Sequence, residues 1–371
     1  MIIIPDMKLD YEDVVIVPQR TTLKSRKDVD LERNFKFYHS PRTWSGVPIV
    51  CSNMVPLTSM RMAVTLASMK MVTALHKYYE YEDLVDIINA AGIDYAWMSI
   101  GQSNEDISKI KKVTSSFGKS PNIIIDVPNG YMESFVKFCK EVRDNFPESI
   151  ICAGNVTTPE ICEELIIHGK VDICKIQISP GSQCETRKMT GVGYGTLSCN
   201  IECSHAAHGL RSDMGRLGLV MSDGGCKEPQ DVCKAMCAGA DWVMLGGMFA
   251  GTDECEGEWS YEFFNNNGKW TPLDPDLDPD EIAMISVDSA TRKSALTFYG
   301  MSSHYAQLKH GSGKKSYRAS EGKVSKIPYK GPVVDVVGEI LGGLRSCGAY
   351  IGARKLKHFN KCAKFAKVNR R

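Results

Sequence analysis

The stretch IICAGNVTTPEICEELIIHGKVDICKI, residues Ile150 to Ile176, reads as one complete strand, helix and strand unit. It opens with the apolar run Ile150 to Ala153 and closes with Val171 to Ile176, both rich in β-branched and small apolar residues. Between them, Thr157-Thr158-Pro159-Glu160 sets hydroxyls and a proline where a helix should start, and His168-Gly169 gives it a stop. Near-continuous apolar strands are what a parallel sheet buried on both faces requires.

The same unit recurs on either side. Runs at Ile49 to Asn53, Met71 to Leu75, Tyr95 to Ser99, Asn122 to Val127, Gly218 to Ser222 and Asp241 to Leu245 bring the candidate strands to eight. Helical stretches fall between them at Ser59 to Lys70, Tyr81 to Ala91, Met132 to Asn145, Pro159 to His168 and Pro229 to Ala238. Glycines in Ala90-Ala91-Gly92 and Ala238-Gly239-Ala240 end two of these just before the next strand. Eight successive units close into a (β/α)8 TIM barrel, whereas a doubly wound open sheet would not readily account for eight strands in a row. The chain reads as one catalytic barrel domain over 1–371 with extended loops after strands 6 and 8. These are a catalytic loop region over 179–215 and a long insertion or flap over 252–332, followed by an amphipathic closing segment, Val333 to Phe359. Both loops leave the C-terminal ends of strands, where barrels keep their active sites.

The 45 Lys and Arg residues nearly balance the 44 Asp and Glu, so no overall field favours a polyanion, although KLKHFNKCAKFAKVNRR at the end is locally basic. Nucleic acid is not expected as a partner. No signal-peptide pattern opens the chain and no apolar run is long enough for a membrane span, which gives the expectation of a soluble protein in the cytoplasm or a reducing organelle. Fourteen cysteines scattered through strands and helices of a large chain read as thiols packed like small hydrophobes, not as a disulfide framework. Cys199 with Cys203, and Cys233 with Cys237, have helical spacing but no companion pair that would make a zinc site.

One cysteine reads differently. After the sixth strand comes Ser179-Pro180-Gly181-Ser182-Gln183-Cys184-Glu185-Thr186-Arg187, then Thr190-Gly191-Val192-Gly193-Tyr194-Gly195. Cys184 lies between a turn that can bend sharply and a glycine-rich segment, at the catalytic end of a strand. A thiolate there is a strong nucleophile, and Arg187 and Lys188 are the nearest cations in sequence that could favour it. Strands 7 and 8 end in Ser222-Asp223-Gly224-Gly225 and Leu245-Gly246-Gly247-Met248, glycine turns at the end of a barrel that commonly takes phosphate. Ser182 could add a donor, and Asp223 could accept from a ribose diol. In the insertion, Phe298-Tyr299-Gly300-Met301-Ser302-Ser303 could lie along the edge of a planar base, and Glu321 could join Thr186 in relaying a proton.

Taken together, Gly181-Ser182-x-Cys184, Arg187-Lys188-x-Thr190-Gly191-Val192-Gly193-Tyr194, Ser222-Asp223-Gly224-Gly225-Cys226, Phe298 to Ser303 and Arg318-Ala319-Ser320-Glu321-Gly322 resemble the IMP dehydrogenase/GMP reductase family over nearly the whole chain. The reductase branch is the better match. The early strands leave no room for the paired regulatory modules that dehydrogenases usually carry, and Tyr317-Arg318-Ala319-Ser320-Glu321-Gly322 replaces their water-activating Arg-Tyr pair. The resemblance implies NADPH-dependent reductive deamination of GMP to IMP and ammonia, the alternative being oxidation of IMP to XMP with NAD. It implies Cys184 as nucleophile, assisted by Thr186 and Glu321. Asp223 would hold the ribose, Ser182, Gly224, Gly246 and Gly247 the phosphate, and Met301, Ser302 and Arg318 the base. Lys77 and Asp126 would lie on the nicotinamide side. A monovalent cation, usually potassium, would take backbone carbonyls of Ser179, Gly181 and Cys184, and the assembly would be a homotetramer. Relatives commonly have Gly in place of Ser179 and often Thr in place of Glu185; a carboxylate turned inward would disfavour the thiolate, so Glu185 is expected to point away from the nucleophile.

Overall fold

The computed structural model describes residues 3–178, 180–213, 215–265, 267–274, 277, 279–288, 290–311 and 319–368. Eight parallel strands close into a barrel: β1 Ile49–Cys51, β2 Val72–Leu75, β3 Ala96–Ile100, β4 Ile123–Asp126, β5 Ile151–Val156, β6 Ile173–Ile176, β7 Leu219–Asp223 and β8 Trp242–Leu245. Each pairs with the next, and β8 returns to β1 through the register Val243 with Ile49 and Leu245 with Cys51. All eight expected strands are present, in the expected order.

The crossover helices are α1 Met60–Ser68, α2 Tyr81–Ala91, α3 Asn104–Phe117, α4 Glu133–Asn145, α5 Pro159–Ile167, α6 Thr196–Gly209, α7 Pro229–Cys237 and α8 Val333–Ile351. Their starts follow local chemistry. Ser59 accepts from Met62 N at 2.9 Å, and Ser103 from Asp106 N at 3.2 Å, each satisfying an amide that the first helical turn leaves without a partner. At α5 the proline sits in the first turn as expected, but Thr158 makes no side-chain cap; Thr157 Oγ1 lies 2.8 Å from Tyr131 Oη instead. Cys199 and Cys203 lie buried on α6, and Cys233 and Cys237 on α7, in keeping with packed helix faces.

Inside the barrel, Val50, Val72, Ala74, Trp97, Ile124, Cys152, Ile173, Met221, Trp242 and Met244 form one buried cluster. Its N-terminal end is closed by a hairpin, Arg33–Lys36 against Thr43–Gly46, that brings Phe35 opposite Trp44. Phe35 stacks on Trp242 at 5.0 Å between ring centroids, and Trp44 Nε1 donates to Asp94 O at 2.9 Å. Phe35, Trp44 and Trp242 pack ring against ring here. The opposite end stays open. Over it, the insertion builds an antiparallel sheet in the order Trp270–Pro272, Trp259–Phe264, Thr291–Tyr299, Val324–Pro328, with a helix His304–His310. Among the described residues, no helix is long and apolar enough to cross a membrane.

Candidate active site

The open end holds a cleft of about 430 Å³. Gly181, Ser182, Cys184, Thr186, Asp223, Gly224, Gly246, Gly247, Met301, Ser302, Glu321, Lys77 and Asp126 all line it, so the described candidates converge on one place. Arg318 and Ser179 lie outside the described residues.

The loop after β6 curls back on itself, with Cys184 N donating to Gly181 O at 3.0 Å, and enters the short helix Thr186–Thr190. Ten of the fourteen cysteines are buried, whereas Cys184 is half-buried at the cleft. Cys226 also reaches the cleft, but burial pushes its thiol well above the ordinary value, with Asp231 and Asp223 adding to the effect. Cys184 Sγ lies 3.2 Å from Thr186 Oγ1, and that hydroxyl donates to Glu321 Oε2 at 2.7 Å.

This row, whose Thr186 and Glu321 lie 135 residues apart in sequence, is held by main-chain pairing. Glu185 N donates to Glu321 O at 2.7 Å, Lys323 N donates to Gln183 O at 3.0 Å, and Gly300 N donates to Lys323 O at 3.1 Å. Gly300 is required by the close approach: a Cβ there would stand 2.8 Å from Gln183 O. The two cations nearest Cys184 in sequence each face a carboxylate. Arg187 faces Asp10 at 3.6 Å, and Lys188 faces the carboxylate of Glu185 at 3.7 Å. Short helical spacing carries both side chains along the surface, and Glu185 does not line the cleft.

Across the mouth, Gly224 and Gly225 adopt φ of +90° and +79°, a turn that a residue with a Cβ rarely makes. Lys330 Nζ donates to the carbonyls of Gly247 and Met248 at 3.0 Å each and fixes the turn after β8, and a Cβ on Gly247 would meet Ser182 Oγ at 3.2 Å. Such a cradle can receive anionic oxygens close to the main chain. Beneath it, Tyr11 Oη lies 3.1 Å from Ser222 Oγ, the Gln177 amide is 3.0 Å from the same hydroxyl, and Asn200 donates to Tyr11.

The sequence reading missed the residues that support Asp126 and Asp223. Lys175 Nζ donates to Asp126 Oδ1 at 2.6 Å and to Asp223 Oδ2 at 2.9 Å. Asn53 and Asn155 complete the carboxylates at 3.0 and 2.9 Å. Burial works against the ionised form of Asp126, but Lys175, Asn53 and Lys77 outweigh it and hold the carboxyl below its ordinary range. The signal was a lysine in a strand otherwise apolar on both faces, since a buried ammonium needs carboxylates.

The description IMP dehydrogenase / GMP reductase domain matches residues 8–269 and 282–371. The chain belongs to the IMP dehydrogenase/GMP reductase family. Among its relatives, the GMP reductases of Citrobacter koseri, Salmonella arizonae and Escherichia coli O81 are each 44% identical to it over 366 residues, covering 98% of this chain and 95% of theirs. As a member of that family, the chain presents its cysteine loop, glycine turns and late flap at one barrel mouth.

Proposed function

We propose that the protein catalyses NADPH-dependent reductive deamination of GMP to IMP and ammonia. The observation that carries this reading is the row Cys184, Thr186, Glu321, at 3.2 and 2.7 Å, in the same cleft as the glycine cradle and Asp223. A nucleotide with its phosphate against Ser182, Gly224, Gly246 and Gly247 and its ribose on Asp223 would present its base toward Cys184, near Met301 and Ser302; Arg318 is the further base contact that the reading calls for.

The thiolate of Cys184 adds to purine carbon 2. The proton that the thiol gives up passes along the Thr186 hydroxyl to Glu321, which returns it by the same hydroxyl to the 2-amino group; the C–N bond breaks and ammonia leaves, which makes a covalent thioimidate. Beyond Asp126 the cleft is lined by His76, Lys77, Tyr78, Ile100 and Gln307, a mixture of ring faces, a cation and an amide that suits a nicotinamide nucleotide, and Lys77 and Asp126 would hold it. When bound there, NADPH would supply the hydride that carbon 2 takes up. The C–S bond then breaks, its electron pair returns to sulfur, and IMP is released. Splitting one displacement into addition and elimination lowers each barrier.

Potassium would be held by main-chain carbonyls of Gly181 and Cys184, which the Cys184 N to Gly181 O bond gathers into one turn, with Ser179 as the third. A single catalytic domain, a homotetramer and residence in the cytoplasm or another reducing compartment complete the reading. Its test is a side-by-side assay of GMP with NADPH and of IMP with NAD. GMP-dependent NADPH oxidation with ammonia release is expected; XMP formation from IMP without any GMP reduction would replace the reading with a dehydrogenase.

A further inference from the structure

Lys175 stands between Cys174 and Ile176 in β6 and is 1% exposed. An ammonium this deep is tolerated only when partners replace its lost water. It has two, Asp126 at 2.6 Å and Asp223 at 2.9 Å. Each carboxylate also accepts from an asparagine: Asn53 Nδ2 donates to Asp126 Oδ2, and Asn155 Nδ2 donates to Asp223 Oδ2 while also holding Gln177 O at 2.8 Å. The row Asn53, Asp126, Lys175, Asp223, Asn155 thereby joins the tops of β1, β4, β6, β7 and β5 across the cleft floor.

We propose that Lys175 is a positioning residue, the shared counter-ion that sets the spacing and net charge of the two carboxylates facing the two ligands. This rests on the reading in which Asp223 holds the GMP ribose and Asp126 lies on the nicotinamide side. Lys175 lies in the cleft floor almost wholly covered, and its ammonium donates to both of those residues, through which it acts. Other titratable groups facing the row are Lys77, on the Asp126 side, and Cys152, from β5. Burial would draw the Lys175 ammonium down, but both carboxylates outweigh it and keep it charged. One ammonium against two carboxylates leaves one net negative charge. Removing it leaves two like charges that share no partner, and Asp223 loses the geometry that a ribose diol reads.

The test is charge balance, read as calorimetric GMP affinity of the purified full-length protein. Lys175→Met is expected to raise the Kd for GMP at least about tenfold. Adding Asp126→Asn restores one net negative charge, and the double variant is expected to bind GMP within about threefold of Asp126→Asn alone. A residue that merely filled space would show no such rescue. If Lys175→Met does not fold, the charge-balanced double variant is still expected to fold and bind. A double variant that binds GMP as weakly as Lys175→Met, or that fails to fold, overturns the proposal. Wild-type protein that binds no GMP would instead overturn the underlying functional reading.

Discussion

The Thr186 hydroxyl donates to Glu321 Oε2 at 2.7 Å, joining the loop after β6 to the end of the flap. Because the same oxygen is 3.2 Å from Cys184 Sγ, the hydroxyl sits between the sulfur and the carboxylate. Glu321→Gln keeps the shape and removes the transferable proton. Turnover is expected to fall about 10²- to 10⁴-fold, the usual share of positioned acid–base catalysis, with GMP affinity little changed. Thr186→Ala should act alike, and the double variant should be little worse than either, because both break one relay. Steady-state kinetics with calorimetric GMP binding checks this.

Gly300 answers a separate question, how closely the flap must approach. Its missing Cβ leaves room for Gln183 O, which would otherwise be met at 2.8 Å, and for Gly322 Cα at 3.1 Å. Gly300→Ala is expected to lower kcat by about tenfold or more through misplacement of the Cys184 loop. The melting temperature should move little, since the contact lies outside the barrel core. An unchanged kcat would show that the loop does not depend on this pairing.

Stability should fall in mild acid. His76, stacked on Tyr79 at 3.9 Å, is pushed down to about 4 by burial, and among the described residues its Nδ1 has no hydrogen-bond partner. The unfolded chain takes up that proton near the ordinary histidine value, while the folded chain resists it. This contribution is therefore complete above about pH 6.5 and is lost as pH drops toward 4, amounting to about 3 kcal/mol. His76→Phe keeps the stack and removes the titration. Denaturant midpoints measured from pH 7 to 4 should decline less steeply in the variant than in the wild type.

At the far end of the barrel, Phe35 seals the interior against Trp242 and is 4% exposed. Phe35→Ala is expected to cost about 3 to 5 kcal/mol of stability, as for other large-to-small changes in a packed core. Activity of the folded fraction should be unaffected, because the hairpin closes the end opposite the cleft. Urea unfolding and kcat/KM of the same preparation separate the two effects.

The barrel was legible because its strands are local: runs such as Asn122 to Val127 and Asp241 to Leu245 are apolar on both faces and bounded by turn residues. Non-local pairing was not. The hairpin that sets Phe35 on Trp242, the strand Thr291–Tyr299 that organises the insertion, and the Lys175 row each depend on partners far away in sequence. Thr186 and Glu321 could be paired from their chemistry only as an expectation, since nothing near either residue encodes the main-chain pairing that joins them. Nor does sequence adjacency show ion pairs: Arg187 and Lys188 are three and four residues from Cys184, and their charges meet Asp10 and Glu185.

The decisive measurement is GMP-dependent NADPH oxidation by Cys184→Ala, with GMP binding followed on the same protein. Turnover is expected to vanish while the Kd for GMP stays within about threefold of wild type, because the sulfur forms the bond to carbon 2 and does not anchor the phosphate or ribose. Undiminished turnover in that variant would contradict a cysteine nucleophile.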